Sequence, residues 1–272
     1  MRAGIALLAR PPADQQLGSG LQWITRFGTM VEQLGFAAIW ATDSMGRGRH
    51  TLDPFVTLSA LHAGTSRVEL GVGVLQLPLR SPGELAHRIQ SMNVLLAGRL
   101  RLGVGAGSTR ADFEVAGADY DKRFTTFRES LDAMRALWRG ERVNGASLLA
   151  WPGTEGGPPV FLGAWRSART IERAAREFDG WVASGLHSTW EDLQAGMKTF
   201  RAHGGKRAIL TNIHTDLSGA SPAHAGTISL QCAPAEARER LQRVRAIGFD
   251  DVMLICHDRS ERHMNGVRAL FA

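Results

Sequence analysis

Chemically reactive residue types are scarce in this sequence of 272 residues. The two cysteines, Cys232 and Cys256, are too few for a disulfide framework and lack the spacing of a zinc site. The three lysines, Lys122, Lys198 and Lys206, lie outside the apolar runs typical of strands. This disfavours an aldolase, which would need a strand-end lysine for its Schiff base. We expect both thiols to be small buried hydrophobes in a reducing cytoplasm.

Long apolar runs and clusters of basic residues are also missing. No run approaches the roughly 20 apolar residues that cross a bilayer, and the opening MRAGIALLARPP lacks the longer apolar region of a signal peptide. The net charge is +6, but no five basic residues are consecutive and no aromatic residues lie between them. The arginines are scattered among acids, which indicates solvated helix faces. We therefore expect a cytoplasmic protein without a membrane or nucleic-acid partner, with a modest preference for anionic ligands.

Apolar runs typical of strands alternate with amphipathic stretches along the whole chain. Several runs are apolar on both faces, as parallel strands between a core and helices are. Eight such units predict an α/β protein, a (β/α)8 TIM barrel that forms a single domain over residues 1–272. A doubly wound sheet usually has fewer strands and a visible break. The predicted strands are Ala3–Ala9, Ala37–Thr42, Arg67–Pro78, Arg99–Gly107, Pro159–Ala164, Gly180–Gly185, Arg207–His214 and Asp251–Cys256.

The predicted strands end in few groups that could perform chemistry. Asp43 follows the second strand, and His187, His214 and His257 come after or at the ends of the last three, where barrel active sites lie. No metal-ligand spacing, GxSxG motif or convincing carboxylate pair accompanies them. Such a site suits a flat cofactor that brings its own chemistry.

Glycines mark the third and fourth predicted strands. Gly103, Gly105 and Gly107 form GxGxG rather than the GxGxxG of dinucleotide-binding folds. Glycine inside a strand often permits close approach by another group. We expect Gly71 and Gly103 to relieve crowding in the barrel, and Gly73, Gly105 and Gly107 to form a flat wall for a cofactor ring.

The stretch FLGAWRSARTIERAA predicts a strand followed by the N-terminus of a helix. Ser167 can cap this helix, and Thr170 lies one turn further on. The N–H groups at a helix N-terminus attract phosphate, and Arg166 adds a positive charge. We interpret this segment as a phosphate site, rather than as an ordinary cap beside a surface arginine.

These residues resemble a known family. LPLRSP, a helix, and GRLRLGVGAG with R-x-D-F, within Arg67–Gly117, are similar to the luciferase-like monooxygenase family. LGFAAIWATDS and PVFLGAWRSARTIERAAREFDGW fit the same pattern, which thins after about His187. The resemblance implies a TIM barrel that binds reduced FMN or the deazaflavin coenzyme F-420 at its C-terminal face. It also implies a cytoplasmic and often homodimeric enzyme.

The resemblance also assigns positions around the cofactor. It implies a non-prolyl cis peptide at Gly73-Val74 against the ring, Gly105 and Ala106 beneath and beside the ring, and a phosphate site on the helix after the fifth strand. The candidate cofactor-binding residues are Asp43, Gly73, Val74, Gly105, Ala106, Gly107, Gly163, Ala164, Trp165, Arg166, Ser167 and Thr170.

Two positions depart from the family pattern. Ala106 stands where the bacterial luciferase has a phosphate-contacting arginine, and we hypothesise that Arg166 supplies that charge. Ser44 stands where many members have a histidine, so Asp43, His187 and His257 become the catalytic candidates. His214, and His50 in a possible lid loop, are further candidates for proton transfer.

We therefore predict a two-component monooxygenase that takes reduced FMN from a separate flavin reductase and uses O2 on a small organic substrate. We expect that substrate under the loops 43–52 and 144–158, near the apolar Trp40, Trp165 and Leu77. We expect the tail STRADFEVAG to be a loop. The alternatives are hydride transfer with coenzyme F-420 and a non-catalytic flavin-binding protein.

Overall fold

The computed structural model of this protein describes residues 1–9, 20–218 and 228–272. The strands are β1 (Arg2–Leu7), β2 (Ala38–Ala41), β3 (Glu69–Gln76), β4 (Leu100–Gly105), β5 (Val160–Gly163), β6 (Gly180–Ser184), β7 (Arg207–Asp216), β8 (Leu230–Gln231) and β9 (Asp251–Cys256). The α-helices are α1 (Gly20–Gln33), α2 (Pro54–His62), α3 (Pro82–Leu95), α4 (Arg110–Ala116), α5 (Arg123–Trp138), α6 (Ala168–Glu177), α7 (Trp190–Ala202), α8 (Pro234–Ile247) and α9 (Glu261–Arg268).

Eight of these strands close into a barrel. Neighbours follow the order β6-β5-β4-β3-β2-β1-β9-β7, and β6 pairs with β7 to close the ring. Every pairing is parallel, and the short β8 only extends the pairing at the end of β7. The predicted (β/α)8 barrel is confirmed.

Apolar side chains form two cores, as alternation along barrel strands requires. One lies between strands and helices, and the other fills the lumen around Trp40, Phe161 and Met253. The indole of Trp40 lies against β3 and β4: a Cβ on Gly71 would be 2.7 Å from Nε1, and one on Gly103 would be 3.0 Å from Cζ3. The expected role of these two glycines, relief of crowding, is confirmed.

Charged side chains close the N-terminal end of the barrel. Glu69 accepts hydrogen bonds from Arg2, Arg101 and Arg207 at the starts of three other strands, and Asp251 accepts from Arg2 and Arg207. Burial alone would raise the pKa of Glu69, but the hydrogen bond from Arg207 and the three positive charges outweigh it and lower that pKa. The charged side chains at this end therefore neutralise one another in ion pairs.

The structure differs from the sequence expectations at three places. STRADFEVAG is not a loop: α4 occupies Arg110–Ala116 and ends at Gly117, whose φ is 65°. Leu77 and Pro78, the end of the predicted third strand, belong instead to a short 3-10 helix, Leu77–Leu79, and β4 stops at Gly105. Residues 10–19, where the sequence predicts a loop with Pro11 and Pro12, and residues 219–227, where it predicts a loop of Ser, Gly, Ala and Pro, lie outside the described residues.

Candidate functional site

The C-terminal mouth of the barrel carries the cofactor-wall residues that the sequence analysis singled out. The Gly73-Val74 peptide is cis, as the resemblance implied, and the pairing of β3 with β4 shifts beside it, between Val72 and Leu75. Gly73 and Val74 are half-buried, as are Ala106 and Gly163 on the two neighbouring strand ends. Small or apolar groups from β3, β4 and β5 thus lie side by side at the mouth.

The glycines on these strands make room for protein side chains. A Cβ on Gly105 would lie 2.9 Å from Cγ2 of Val74, and one on Gly163 would lie 3.3 Å from Cγ1 of Val74. The side chain of Val74 therefore covers the ends of β4 and β5. Gly73 packs on Trp40 in the same way: a Cβ added to Gly73 would lie 2.7 Å from Cε3 of the Trp40 indole. The expected wall for the cofactor ring is therefore formed by the side chain of Val74, packed over Gly105 and Gly163, rather than by bare backbone.

Gly107 is constrained by its conformation and its neighbours. Its φ is 83°, and a Cβ there would lie 2.6 Å from Oε1 of Gln76 and 2.9 Å from the ring of Phe113. It allows the chain to turn from β4 towards α4.

Asp43 is buried and fully engaged by its neighbours. Its two carboxylate oxygens accept from the guanidinium of Arg80 at 2.8 Å each, and Oδ2 also accepts from the backbone N–H of Gln76 at 2.9 Å. Burial would lower the pKa of Arg80, but hydrogen bonding to Asp43 and nearby carboxylates raise it. Asp43 thus fastens the end of β2 to the end of β3, and this ion pair fits a positioning role better than proton transfer.

Asp112 on α4 holds the segment after Asp43. Its side chain is fully buried, and it accepts from the backbone N–H groups of Met45 and Gly46, twice from the guanidinium of Arg47, and once from the amide of Gln76. We call these contacts the Asp112 latch. They fix residues 45–47 beside the mouth.

The latch was missed by sequence reasoning. Gly46 lies so close to α4 that a Cβ would be 2.1 Å from the carbonyl oxygen of Ala111. The only available signals were the R-x-D-F pattern and the glycine at position 46. Neither indicates which residues Asp112 contacts.

The predicted phosphate segment lies at the start of α6. Ser167 caps the helix: its Oγ accepts from the N–H of Thr170 at 3.3 Å and from the hydroxyl of Thr170 at 2.8 Å. Arg166 is exposed, and its Nε donates to Asp192 at 3.0 Å. Ala164 is buried, and its carbonyl oxygen accepts from the indole N–H of Trp181. The cap and the guanidinium are therefore adjacent at one rim of the mouth.

The candidate histidines fall into separate groups. His187 stacks on Trp165, with ring centroids 4.0 Å apart. Burial, then the charges of Arg47 and Arg166, lower the pKa of His187, which favours a neutral imidazole. His214 and His257 lie together at the ends of β7 and β9, with Nδ1 and Nε2 3.0 Å apart.

The sequence predicts a substrate under two loops, 43–52 and 144–158. His50 is exposed in the loop after β2. The loop 144–158 leads from the end of α5 to the start of β5, and its contacts include Gln90, His87 and Trp138. It therefore runs along the outside of the barrel, and the expectation that it covers the substrate is wrong.

Three of the buried polar atoms without a partner lie near the mouth. Thr42 Oγ1, Gln76 Oε1 and Thr211 Oγ1 are buried without a hydrogen-bond partner among the described residues. Buried polar atoms are normally paired, and pockets combine apolar walls with a few such groups. A cofactor with an apolar ring, a polar edge and a phosphate would fit these groups. Val74 offers an apolar surface, the unpaired oxygens offer polar partners, and the capped start of α6 can bind an anion.

The described part of the chain has no helix with the length and apolar character to cross a bilayer. Among the same residues, no three His, Cys, Asp or Glu side chains are arranged to hold a metal ion.

Residues 1–267 match the family described as luciferase-like monooxygenase. The chain is 29% identical over 191 residues to the 5,10-methylenetetrahydromethanopterin reductase of Methanolobus tindarius, covering 68% of this chain and 56% of that protein. It is 31% identical over 218 residues to the F-420-dependent glucose-6-phosphate dehydrogenase of Rhodococcus hoagii (strain 103S), covering 73% and 63%. The chain thus spans less than two thirds of the length of these curated relatives.

Solved structures share the fold over nearly the whole chain. A monooxygenase from Streptomyces bottropensis superposes with a TM-score of 0.80 at 20% identity, over 100% of this chain and 97% of that one. The oxygenating component of 3,6-diketocamphane monooxygenase from Pseudomonas putida, in complex with FMN, gives a TM-score of 0.76 at 14% identity, over 98% and 97%.

Proposed function

Since this chain belongs to the luciferase-like monooxygenase family, we propose that it binds its flavin or deazaflavin at the barrel mouth and acts on a small organic molecule. One observation carries this proposal. Val74, Ala106 and Gly163 offer a small, partly exposed wall on three adjacent strand ends. The capped start of α6 follows directly after the last of these strands.

Coenzyme F-420 is the first candidate cofactor. The support comes from relatives at about 30% identity, one of which is named as an F-420-dependent dehydrogenase. With F-420 as its cofactor, the protein would be a hydride-transfer oxidoreductase.

Reduced FMN, delivered by a separate flavin reductase, is the second candidate, and it makes the protein a monooxygenase. It is favoured by Ser167 and Thr170, whose hydroxyls are 2.8 Å apart beside Arg166. The resemblance assigns these three positions to the FMN phosphate. We propose a homodimer in either case.

The residues of the chain have separate tasks in this proposal. When bound, either cofactor supplies a ring that exchanges electrons with the substrate. Ser167, Thr170 and Arg166 hold the phosphate, because a helix N-terminus and a guanidinium both favour an anion. Val74 supports the ring, and the Asp112 latch keeps residues 45–47 at the rim. The neutral imidazole of His187 can accept a proton, and Asp43, paired with Arg80, keeps the strand ends in register.

Equilibrium titration of the protein with FMN, FMNH2 and F-420, followed by fluorescence, tests this function. We expect one of them to bind at micromolar concentration or better, and Arg166→Ala to weaken that binding by about tenfold through loss of a charge-assisted hydrogen bond. Arg176→Ala, at the other end of α6, is the matched control and should leave the affinity unchanged. Weak binding of all three cofactors would overturn the function.

Oxygen consumption separates the two cofactor readings. Free FMNH2 itself reacts with O2 and releases hydrogen peroxide, so the monooxygenase should be recognised by oxygen uptake that releases less than one equivalent of hydrogen peroxide when substrate is present. The F-420 enzyme should reduce its cofactor while it oxidises the substrate, without oxygen uptake. Unchanged FMN affinity in Arg166→Ala would contradict the phosphate role of that arginine.

A further inference from the structure

Strand β7 contains a bulge near the barrel mouth. Leu210 and Ile213 pair with residues of β9 that are two positions apart, with one residue, Met253, between them. On β7, two residues, Thr211 and Asn212, occupy the same interval. One strand therefore has an extra residue, which defines a β-bulge.

The bulge turns polar groups into the lumen. Leu210 and Ile213 belong to the core outside the barrel, whereas Met253 belongs to the lumen core. The side-chain amide of Asn212 donates to Ser184 Oγ at 3.0 Å. Ser184 lies two residues after Val182, a lumen residue, and so points to the same side of β6. Asn212 therefore lies above the apolar floor of the lumen.

The backbone at Asn212 has an unusual conformation for a strand. Its φ is +58°, and the other non-glycine residues with positive φ in the described ranges, Ala97 and Asn144, lie between secondary-structure elements. Residues other than glycine seldom adopt this region, and such outliers cluster at ligand sites. The conformation directs an amide to this point of the mouth.

Some hydrogen-bonding groups of the bulge have no partner among the described residues. Thr211 is 3% exposed, and its hydroxyl has no partner among residues 1–9, 20–218 and 228–272. An asparagine amide has two donors and one acceptor, and only one of these donors is bound to another described residue. Thr211 and Asn212 can thus each offer a hydrogen-bonding group to a ligand.

The bulge also lies across the barrel from the proposed ring wall. In the closed ring of eight strands, β3 and β7 are four strands apart in either direction. A ring supported by Val74 on β3 therefore has its other face towards Thr211 and Asn212.

We propose that Thr211 and Asn212, with Ser184 behind them, form the substrate-binding face. We further propose that the substrate has a carbonyl or hydroxyl oxygen that these groups hydrogen-bond. This inference rests on the proposed function, because it assumes a cofactor ring against Val74.

Matched pairs of small molecules test the proposal. Ketones and secondary alcohols of three to eight carbons would each be compared with the hydrocarbon of the same skeleton. Binding to protein loaded with F-420 or FMN, whichever binds more tightly, would be measured by saturation-transfer NMR. We expect oxygenated members to bind about tenfold more tightly, the equivalent of one or two hydrogen bonds.

Three variants separate recognition from folding. Asn212→Gly removes the amide but tolerates positive φ, and Thr211→Val removes the hydroxyl at similar volume. Each should reduce the preference for the oxygenated molecule about threefold, with cofactor affinity unchanged. Asn212→Ala is the backbone control, because alanine is strained at this φ and should lower the melting temperature as well.

Each alternative result decides the question. A preference retained in both Asn212→Gly and Thr211→Val overturns the proposal, as does a wild-type protein without preference in any pair. A loss of cofactor affinity in these variants would assign the bulge to the cofactor instead. Failure of the wild-type protein to bind either cofactor would overturn the proposed function itself, and this inference with it.

Discussion

Asp112 is a single residue on which the arrangement of the mouth depends. Its carboxylate has no exposed surface, and it accepts five hydrogen bonds from residues that lie 36 to 67 positions away in the sequence. Burial would raise the pKa of Asp112, but the hydrogen bonds from Arg47, Gly46, Gln76 and Met45 outweigh it and lower that pKa. The charged carboxylate is therefore the form that holds the latch.

Asp112→Asn should destabilise the protein by about 3 kcal/mol, because it leaves the charge of Arg47 unpaired and turns an acceptor into a donor. The stabilisation is present above the unfolded pKa of an aspartate and is lost as pH falls through the lower folded value. Urea unfolding at pH 7 measures the loss. Asp121→Asn, an exposed aspartate, should change stability by less than about 0.5 kcal/mol; equal effects in both variants would refute the latch.

Glu32 is a second single residue whose contribution to the free energy of unfolding can be tested. Burial opposes ionisation, but hydrogen bonds from the backbone N–H groups of Val68, Arg67 and Ser66 and from the hydroxyl of Ser66 lower the pKa of Glu32 from 4.5 to about 2. Its contribution to stability is therefore complete above pH 4.5 and disappears as pH falls towards 2.

Glu32→Gln should flatten the dependence of unfolding free energy on pH between about 5 and 2. Urea unfolding at a series of pH values gives this slope. Glu114→Gln, at an exposed position, is the control with an unchanged slope, and a wild-type slope in Glu32→Gln would rule out the assignment.

Strand β3 shows which parts of an element can be predicted from sequence. Its apolar run predicts a buried parallel strand, because both faces are covered. The role of Gly71 was also predictable, since a glycine in a crowded barrel strand makes room for a large neighbour. The identity of that neighbour, Trp40, was not, because strand register decides which side chains meet.

Gly71→Ala tests this contact. The new Cβ would lie 2.6 Å from the carbonyl oxygen of Arg101 and 2.7 Å from Nε1 of Trp40, so we expect a loss of about 2 kcal/mol from overpacking. Gly83→Ala in α3, where nothing lies within 4 Å of the new atom, should be neutral or slightly stabilising. Thermal melting followed by circular dichroism compares the two, and equal melting temperatures would contradict the steric explanation.

Helix α4 and the bulge of β7 could not be predicted for different reasons. Only Asp112 and Phe113 of α4 are buried, so no apolar stripe marks the helix. The sequence around Asn212 contains no glycine or proline that would mark an interruption of the strand, and the bulge appears only when β7 is paired with β9. The pairing of His214 with His257 likewise depends on neighbouring strands that are 43 residues apart in sequence.

At the scale of the whole molecule, a cluster of ion pairs and the candidate site lie at opposite ends of the barrel. Glu69, Asp251 and three arginines close the N-terminal end, whereas the candidate cofactor and substrate groups lie at the mouth. The single-domain organisation and the homodimer stay predictions. A single unfolding transition and sedimentation at twice the monomer mass are the respective expectations.

Glu69→Gln should lower stability by about 2 kcal/mol without changing cofactor affinity, because it leaves the partly buried Arg101 and Arg207 with excess positive charge at the end far from the mouth. Glu84→Gln breaks an exposed pair with Arg88 and should cost less than about 1 kcal/mol. Chemical unfolding and cofactor titration measure the two quantities. Weakened cofactor binding in Glu69→Gln would contradict the separation of the two ends.

The charged end also affects how the barrel can open. Its side chains come from β1, β3, β4, β7 and β9, so separating one pair of neighbouring strands leaves each strand tied to others across the ring. Amide protons near the starts of these strands should exchange with solvent only through global unfolding. Gly48, Arg49 and His50 are exposed and lie just after the latch, so their amide protons should exchange through local opening while the latch and the barrel stay closed.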